Sequence, residues 1–554
     1  MLDIERPQMK KVVLGGGVIT CEDGSRPDWQ GVVISGDRIE RLVRRDDVAG
    51  LDGYQVEDLG DATLMPGFVD VHAHAEVVCR TAFRTIDCRA PECSSVEDVS
   101  DALIAGATDL DPGEWLVGQA NLFFDRKLKE GRLPTRAELD RVSRDRPIAL
   151  RAGGHITVLN SEALERAGIG RGFRPPEHSI TGKPEVIFGD DGEPTGVIKE
   201  MDSLLPLPRP NADELRACIA SGLRDFFTDF GVTTIGEISE TVAGIECMND
   251  LAESGELPTS MRVYLWSPGT LDGLDKVRNW RHHIRLTTSE KDLRIQGLKL
   301  FSDGGFSAKS AAVNCCYVGH PGSSGSIAFD QYFLRRAFLM TREAGLQLAV
   351  HANGDRAQDW LCDMVIKLGG TEPGRSRMRI EHAGNLLPTS ETAHRWARAG
   401  IIPVPQPVFL YTFGEYFPDY LGAYGRRGRF PFRSLIEQGW RLSGSSDVWI
   451  GSEREATNPF FSIWCCMKRQ TYSGLTIDED EALDFDTALR MHTIDAAAVL
   501  GEEDDKGSLA PGKMADVIAL ECDPRKKPVD EIRRLKPTYV MSRGRTEKHA
   551  APRH

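Results

Sequence analysis

Pro66-Gly67-Phe68-Val69-Asp70-Val71-His72-Ala73-His74 is the stretch on which the reading of this chain turns. Pro66-Gly67 brings the chain out of a turn and into an apolar run. Side chains of a strand alternate between its two faces, so Phe68, Asp70, His72 and His74 are expected on one side and Val69, Val71 and Ala73 on the other. Two imidazoles at that spacing share a face and can share one cation. Taken alone, His-x-His also suits two histidines on a half-exposed strand, so the rest of the chain decides.

Downstream, short apolar runs alternate with helix-like stretches, the pattern of a parallel barrel. After Val69–His74 come Val232–Gly236, Arg262–Trp266, Gln296–Phe301, Leu346–His351, Met378–His382, Ile401–Val404 and Arg441–Asp447, eight in all. The gap from His74 to Gly231 is far longer than a βα unit needs and must hold structure of its own. It contains helix-like stretches at Ala102–Leu110 and Asp213–Phe230 and the segment Ile148–His155. Loops after barrel strands build the active-site mouth, so this insertion is expected to cover the site. Upstream, Val12-Val13-Leu14 and Val32-Val33-Ile34 have strand-and-turn spacing, and Gly507–Leu520 with Tyr539–Gly544 mirror them at the other end. The expected organisation is α/β: a (β/α)8 TIM barrel over residues 66–504, a small β-sandwich from residues 1–65 and 505–554, and an insertion over 80–228 after barrel strand 1.

Bulk properties narrow the function classes. The 554 residues are 40% hydrophobic and 27% charged, as in ordinary globular proteins. A net charge of −15 leaves no basic excess for neutralising phosphates, so a nucleic-acid partner is not expected. The N-terminus has no basic segment followed by an apolar one, and no run of roughly 18 apolar residues occurs, so neither secretion nor a membrane is expected. The twelve cysteines are scattered, with adjacent pairs at Cys315-Cys316 and Cys465-Cys466 rather than CxxC spacing. They read as reduced, mostly buried thiols of a cytoplasmic protein. Gly15-Gly16-Gly17 lacks the helix and Lys of a phosphate loop.

Four polar residues fall in or at the ends of the expected strands, where barrel enzymes keep their chemistry. Lys299 lies between Leu298 and Leu300, so alternation turns its ammonium inward. His351 closes a run in which Leu348 and Val350 take the opposite face. His382 follows Met378–Glu381, and Asp447 ends the last run. A lone strand-end histidine usually serves a structural hydrogen bond, and a lone inward lysine is costly unless paired. Six such groups together have no structural use that apolar residues would not serve better.

PGFVDVHAH, GVTT, the strand lysine, the two strand-end histidines, the aspartate and GSLAPGKMADVIAL together resemble the amidohydrolase superfamily over nearly the whole length. The resemblance implies the barrel and β-sandwich, and a pair of divalent metal ions, zinc being the expected metal, held by His72, His74, Lys299, His351, His382 and Asp447. Gly154-His155 with Asn160-Ser161, Leu298–Gly304, His351–Ala357 and Arg379–Ala383 resemble the large-insertion branch that includes N-substituted formamide deformylases. Asp303-Gly304-Gly305-Phe306 and Asn353 depart from that branch, in the pocket rather than at the ligands.

The roles follow from charge. Two divalent cations carry four positive charges, which neutral imidazoles do not balance. A buried lysine has a lowered pKa, and its free amine can take up carbon dioxide as a carbamate that bridges both metals. With Asp447 and a bridging hydroxide, three charges are offset. The metals would acidify that water and polarise a carbonyl, while Asp447 moves the proton to the leaving amine. His155 is the candidate for holding the oxyanion or orienting the substrate, against the alternative of capping a following helix.

The expected activity is hydrolysis of the carbon–nitrogen bond of a linear N-acyl or N-formyl amide, a small molecule, with homodimerisation left open. A cyclic-amide hydrolase or deaminase of the same superfamily is the alternative. Deaminases there lack the strand lysine and carry Glu three residues after the strand-end histidine, where this chain has Gly354. A non-catalytic barrel used for binding is the alternative of another class, and such relatives typically lose metal ligands. Arg356 is a candidate substrate-binding residue, although Asp355-Arg356 equally suits a helix cap with its counter-ion. Trp449, Phe409, Tyr411 and Phe413 suit either an apolar pocket or the core.

Overall fold

A computed structural model describes residues 10–549 apart from 25–27, 83, 178, 180, 182 and 372–376. Its centre is a seven-stranded parallel sheet, with spatial order following chain order: Phe68–Ala73, Val232–Ser239, Ser260–Trp266, Leu293–Phe301, Gln347–His351, Arg379–Glu381 and Ile402–Val404. The sheet curls. Arg379, near one edge, donates from Nη2 to the carbonyl oxygen of Val71 on the opposite edge strand at 2.9 Å. Helices such as Val242–Glu253, Gln331–Glu343, Asp355–Lys367 and Ser390–Ala399 return the chain between strands. Leu298, Leu300, Leu348 and Val350 pack outward among helix residues such as Leu334 and Leu361, as alternation predicts.

Two of the sequence expectations differ from what is observed. Arg441–Asp447 runs beside the first strand, with Asp447 N–H donating to His72 O at 2.8 Å, but forms no strand ladder. Ser443-Gly444-Ser445-Ser446 supplies the reason: the Ser445 hydroxyl bonds Pro405 O and Gln406, and Ser446 N–H is taken by the Asp70 carboxylate, so side chains replace ladder partners.

The first strand also does not alternate cleanly. Opposite it, Ile235 pairs with Asp70 and Glu237 with Ala73, so three steps on one strand face two on the other. This bulge changes the phase. Val69 and Val71 face inward with Tyr264, Trp266, Ala349 and Val404, whereas Phe68 packs outward against Phe460. The extra residue then turns His72 and His74 inward as well, re-aiming side chains as bulges beside active sites do.

Residues 85–199 carry a second, six-stranded sheet, Glu185–Phe188, Pro194–Lys199, Ile156–Leu159, Ile148–Ala152, Leu116–Ala120 and Thr85–Asp87 in spatial order. Near the termini, Thr63–Pro66 pairs antiparallel with Val517–Leu520, bringing both ends of the chain into one five-stranded sheet beside a four-stranded one. All twelve cysteines are free thiols, most of them buried. Among the described residues no helix is long and apolar enough to cross a membrane.

Candidate metal centre

Five of the six expected ligands line one cavity at the carboxyl ends of the parallel strands: His74, Lys299, His351, His382 and Asp447. His72 lies against them, its Nε2 3.2 Å from Asp447 Oδ1 and 3.3 Å from Lys299 Nζ. His74 Nε2 is 3.4 Å from the same carboxylate oxygen, and His351 Nδ1 lies 3.0 Å from His382 Nε2. All six residues thus come to one place. His382 (φ 73°) and Asp447 (φ 43°) adopt left-handed backbone conformations, which cost roughly 1–3 kcal/mol each and persist where surroundings impose them.

Burial holds these side chains in forms that suit a cation. It drives His72 and His351 well below the usual imidazole range and lowers His382, leaving neutral rings with free lone pairs. Burial also lowers Lys299 to about 8, against the pull of Glu381 and Asp447, so part of its amine is free near neutrality. Burial alone would raise Asp447, but the surrounding imidazoles outweigh it and keep the carboxylate ionised.

The structure adds partners that the sequence left unassigned. His72 Nδ1 lies 2.5 Å from Glu381 Oε2, and Arg379 Nε holds the other oxygen of that buried carboxylate at 2.5 Å. His382 Nδ1 meets Gln406 Oε1 at 2.7 Å. His155 follows Ile148–Ala152 and precedes a strand, not a helix, so the capping alternative falls away. Its ring lines the cavity, and its Nδ1 bonds the Glu200 carboxylate at 3.0 Å. Burial disfavours the imidazolium there, but Glu200 more than compensates and His155 is shifted upward. Glu200, buried and itself left-handed (φ 52°), was visible in the sequence only as one acid among many.

Other candidates sort by position. Phe306, Asn353, Phe409, Phe413 and Trp449 line the cavity, whereas Tyr411 packs into an aromatic cluster with Phe461, Trp464 and Tyr472. Arg356 is not on the cavity wall. Its guanidinium donates to the carbonyl oxygens of Val313, Ser324 and Gly325 at 3.2, 2.9 and 2.9 Å, which ties down a loop and leaves it no part in the cavity.

The donor set fits a cation. Ligand atoms of His72, His74 and Asp447 lie within 4.8 Å of one another, and groups bound about 2.0–2.2 Å from one ion sit roughly 3–3.5 Å apart. Imidazole with carboxylate suits zinc-like ions. A model of the amidohydrolase family matches residues 55–546. The chain belongs to that family. This amidohydrolase is 26% identical over 554 residues to the N-substituted formamide deformylase of Arthrobacter pascens, covering 96% of this chain and 98% of the other. It is 26% identical to the protein LONG AFTER FAR-RED 3 of Arabidopsis thaliana, over 92% of this chain and 87% of that one. An uncharacterized metal-dependent hydrolase from Pyrococcus horikoshii OT3 shares its fold, with a TM-score of 0.72 at 23% identity over 94% of this chain and 99% of that one. The amidohydrolase is an enzyme, a hydrolase of carbon–nitrogen bonds other than peptide bonds.

Proposed function

We propose that this amidohydrolase cleaves a linear small-molecule amide, an N-formyl or other short N-acyl amide, in the cytoplasm. The observation that carries it is the convergence of His72, His74, Lys299, His351, His382 and Asp447 from five separate segments on one cavity. We read the parallel sheet with segment 441–447 as a (β/α)8 barrel, residues 1–65 with 505–554 as its β-sandwich, and 80–228 as an insertion over the mouth.

Those six side chains would hold two divalent ions, zinc in our reading, with Lys299 contributing a negative charge as its carbamate. When bound, such ions lower the pKa of water toward neutrality and polarise a carbonyl. The protein's own groups do the rest. Asp447 accepts a proton from the attacking water and delivers it to the departing nitrogen. His155, kept cationic by Glu200 on its Nδ1 side, presents its other N–H to the oxygen of the tetrahedral intermediate. The small cavity and its aromatic walls exclude competing water.

Metal analysis of the purified protein, combined with assays on formamides, acyl amino acids and cyclic imides, tests this. About two ions per chain and turnover of linear amides are expected. A protein that binds no divalent ion, or that opens only cyclic imides, would overturn it.

A further inference from the structure

A second cavity, of about 470 Å³, falls within the size range of small-molecule sites. It shares Trp449 and Ile450 with the candidate metal centre, but none of the six converging side chains lines it. Its charged groups answer one another, with a single exception. Arg80 pairs with Glu240 and Glu76, Arg84 with Glu214 at 3.0 Å and Glu114 at 3.9 Å, and Arg151 Nε donates to Asp202 at 2.7 Å. Each acid on the wall, Glu114, Asp202 and Glu240, thus already holds an arginine. Arg209 is the remaining cation, and among the described residues it has neither an ion-pair nor a hydrogen-bond partner.

The backbone that carries this cation is stiff. In Leu205-Pro206-Leu207-Pro208-Arg209-Pro210 every second residue is a proline, and a residue before proline is pushed to extended conformations. Leu205 shows this, with φ −73° and ψ 143°, the values of polyproline II. Leu205, Leu207 and Arg209, the three residues so confined, all line the cavity. One strap therefore presents two apolar side chains and a guanidinium, with little backbone freedom left for a ligand to arrest. Trp115, Pro268 and Trp449 add apolar surface, and Leu204 of the same cavity is left 46% exposed.

We propose that this cavity is a second small-molecule site, which takes a monocarboxylate with a compact apolar body. The body lies against the leucines and tryptophans. The carboxylate accepts from the Arg209 guanidinium, whose planar fork matches two carboxylate oxygens. A single negative charge is what the walls call for, since every other cation and every acid on them is already matched. The site is independent of the amide reaction and of the metal ions.

Calorimetric titration of the metal-loaded enzyme with three probes tests the assignment: adamantanecarboxylate, with body and charge; adamantanemethanol, with the body alone; and acetate, with the charge alone. The wild type should bind adamantanecarboxylate at least about tenfold more tightly than either of the others. Arg209 is exposed, so Arg209→Met leaves the core untouched. That variant should bind adamantanecarboxylate at least about fivefold more weakly while its affinity for adamantanemethanol stays the same. Leu207→Trp, which fills the cavity, should weaken both adamantane compounds by at least about tenfold. Equal wild-type affinities for the carboxylate and the alcohol would overturn the proposal, as would no binding of either. So would an affinity for adamantanecarboxylate that is unchanged in Arg209→Met, the result expected if the carboxylate sat on the metal ions instead.

Discussion

Lys299 sits on the concave face of the sheet with no carboxylate in hydrogen-bond contact among the described residues; its ammonium nitrogen meets the ring of His72 at 3.3 Å and lies over Phe301, 4.9 Å from the ring centre. Burial brings it to about 8, which suits an amine that gains a carboxyl group and then serves as an anion between two cations. Lys299→Ala should therefore lose bound metal and at least about a hundredfold in kcat. Short carboxylic acids added to the variant should restore part of both, since a free carboxylate can fill the place of the carbamate. Full activity without rescue would remove the bridge. Glu200 acts one residue further out. With its charge gone in Glu200→Gln, the His155 pKa should fall, so the imidazolium is lost at lower pH and the alkaline limb of kcat/KM moves to lower pH with metal content unchanged. An alkaline limb that stays in place would show that His155 does not act as a cation.

At the level of elements, the first strand depends on a close approach by its neighbour. A Cβ on Gly236 would lie 2.0 Å from Val71 O, at the bulge that turns both histidines inward. Gly236→Ala should cost about 1–3 kcal/mol, as overpacking does, and also lower metal content because His72 and His74 ride on the displaced segment. A variant with unchanged Tm and full metal content would show that the bulge does not set their aim. This bulge also marks where sequence stopped being sufficient. Lys299 and His351 were legible because Leu298, Leu300, Leu348 and Val350 flank them in clean alternation. The phase of the first strand was not, since a bulge is fixed by the register of two strands 160 residues apart. Segment 441–447 read as a strand from its position in the series, but serine and aspartate side chains satisfy it instead. Arg356 read as a candidate for binding substrate because the carbonyls it holds come from a loop of no recognisable pattern. Glu200 reaches His155 through the pairing of Ile156 with Lys199, a contact with no local signal.

Across the whole molecule, acid sensitivity should trace partly to one buried histidine far from the ligands in sequence. His492 lies between the first strand and segment 441–447: its carbonyl accepts from Val69 N–H at 2.9 Å, and its imidazole fills the space over Gly444, where a Cβ would meet it at 2.2 Å. The ring is buried, its Nε2 has no hydrogen-bond partner among the described residues, and burial lowers its pKa to about 3. The sign follows from linkage. The unfolded chain protonates this residue near 6.5 and the folded protein only near 3, so between those values the unfolded state binds more protons and stability falls with pH. The contribution is complete above about pH 6.5, declines by about 1.4 kcal/mol per unit below it, and is gone once the pH has passed through 3. His492→Gln carries no such titration. Urea denaturation of both proteins, each stripped of metal so that ligand protonation is common to both, should show the wild type losing stability faster than the variant across that window. Parallel curves would mean that His492 is not held neutral by the fold.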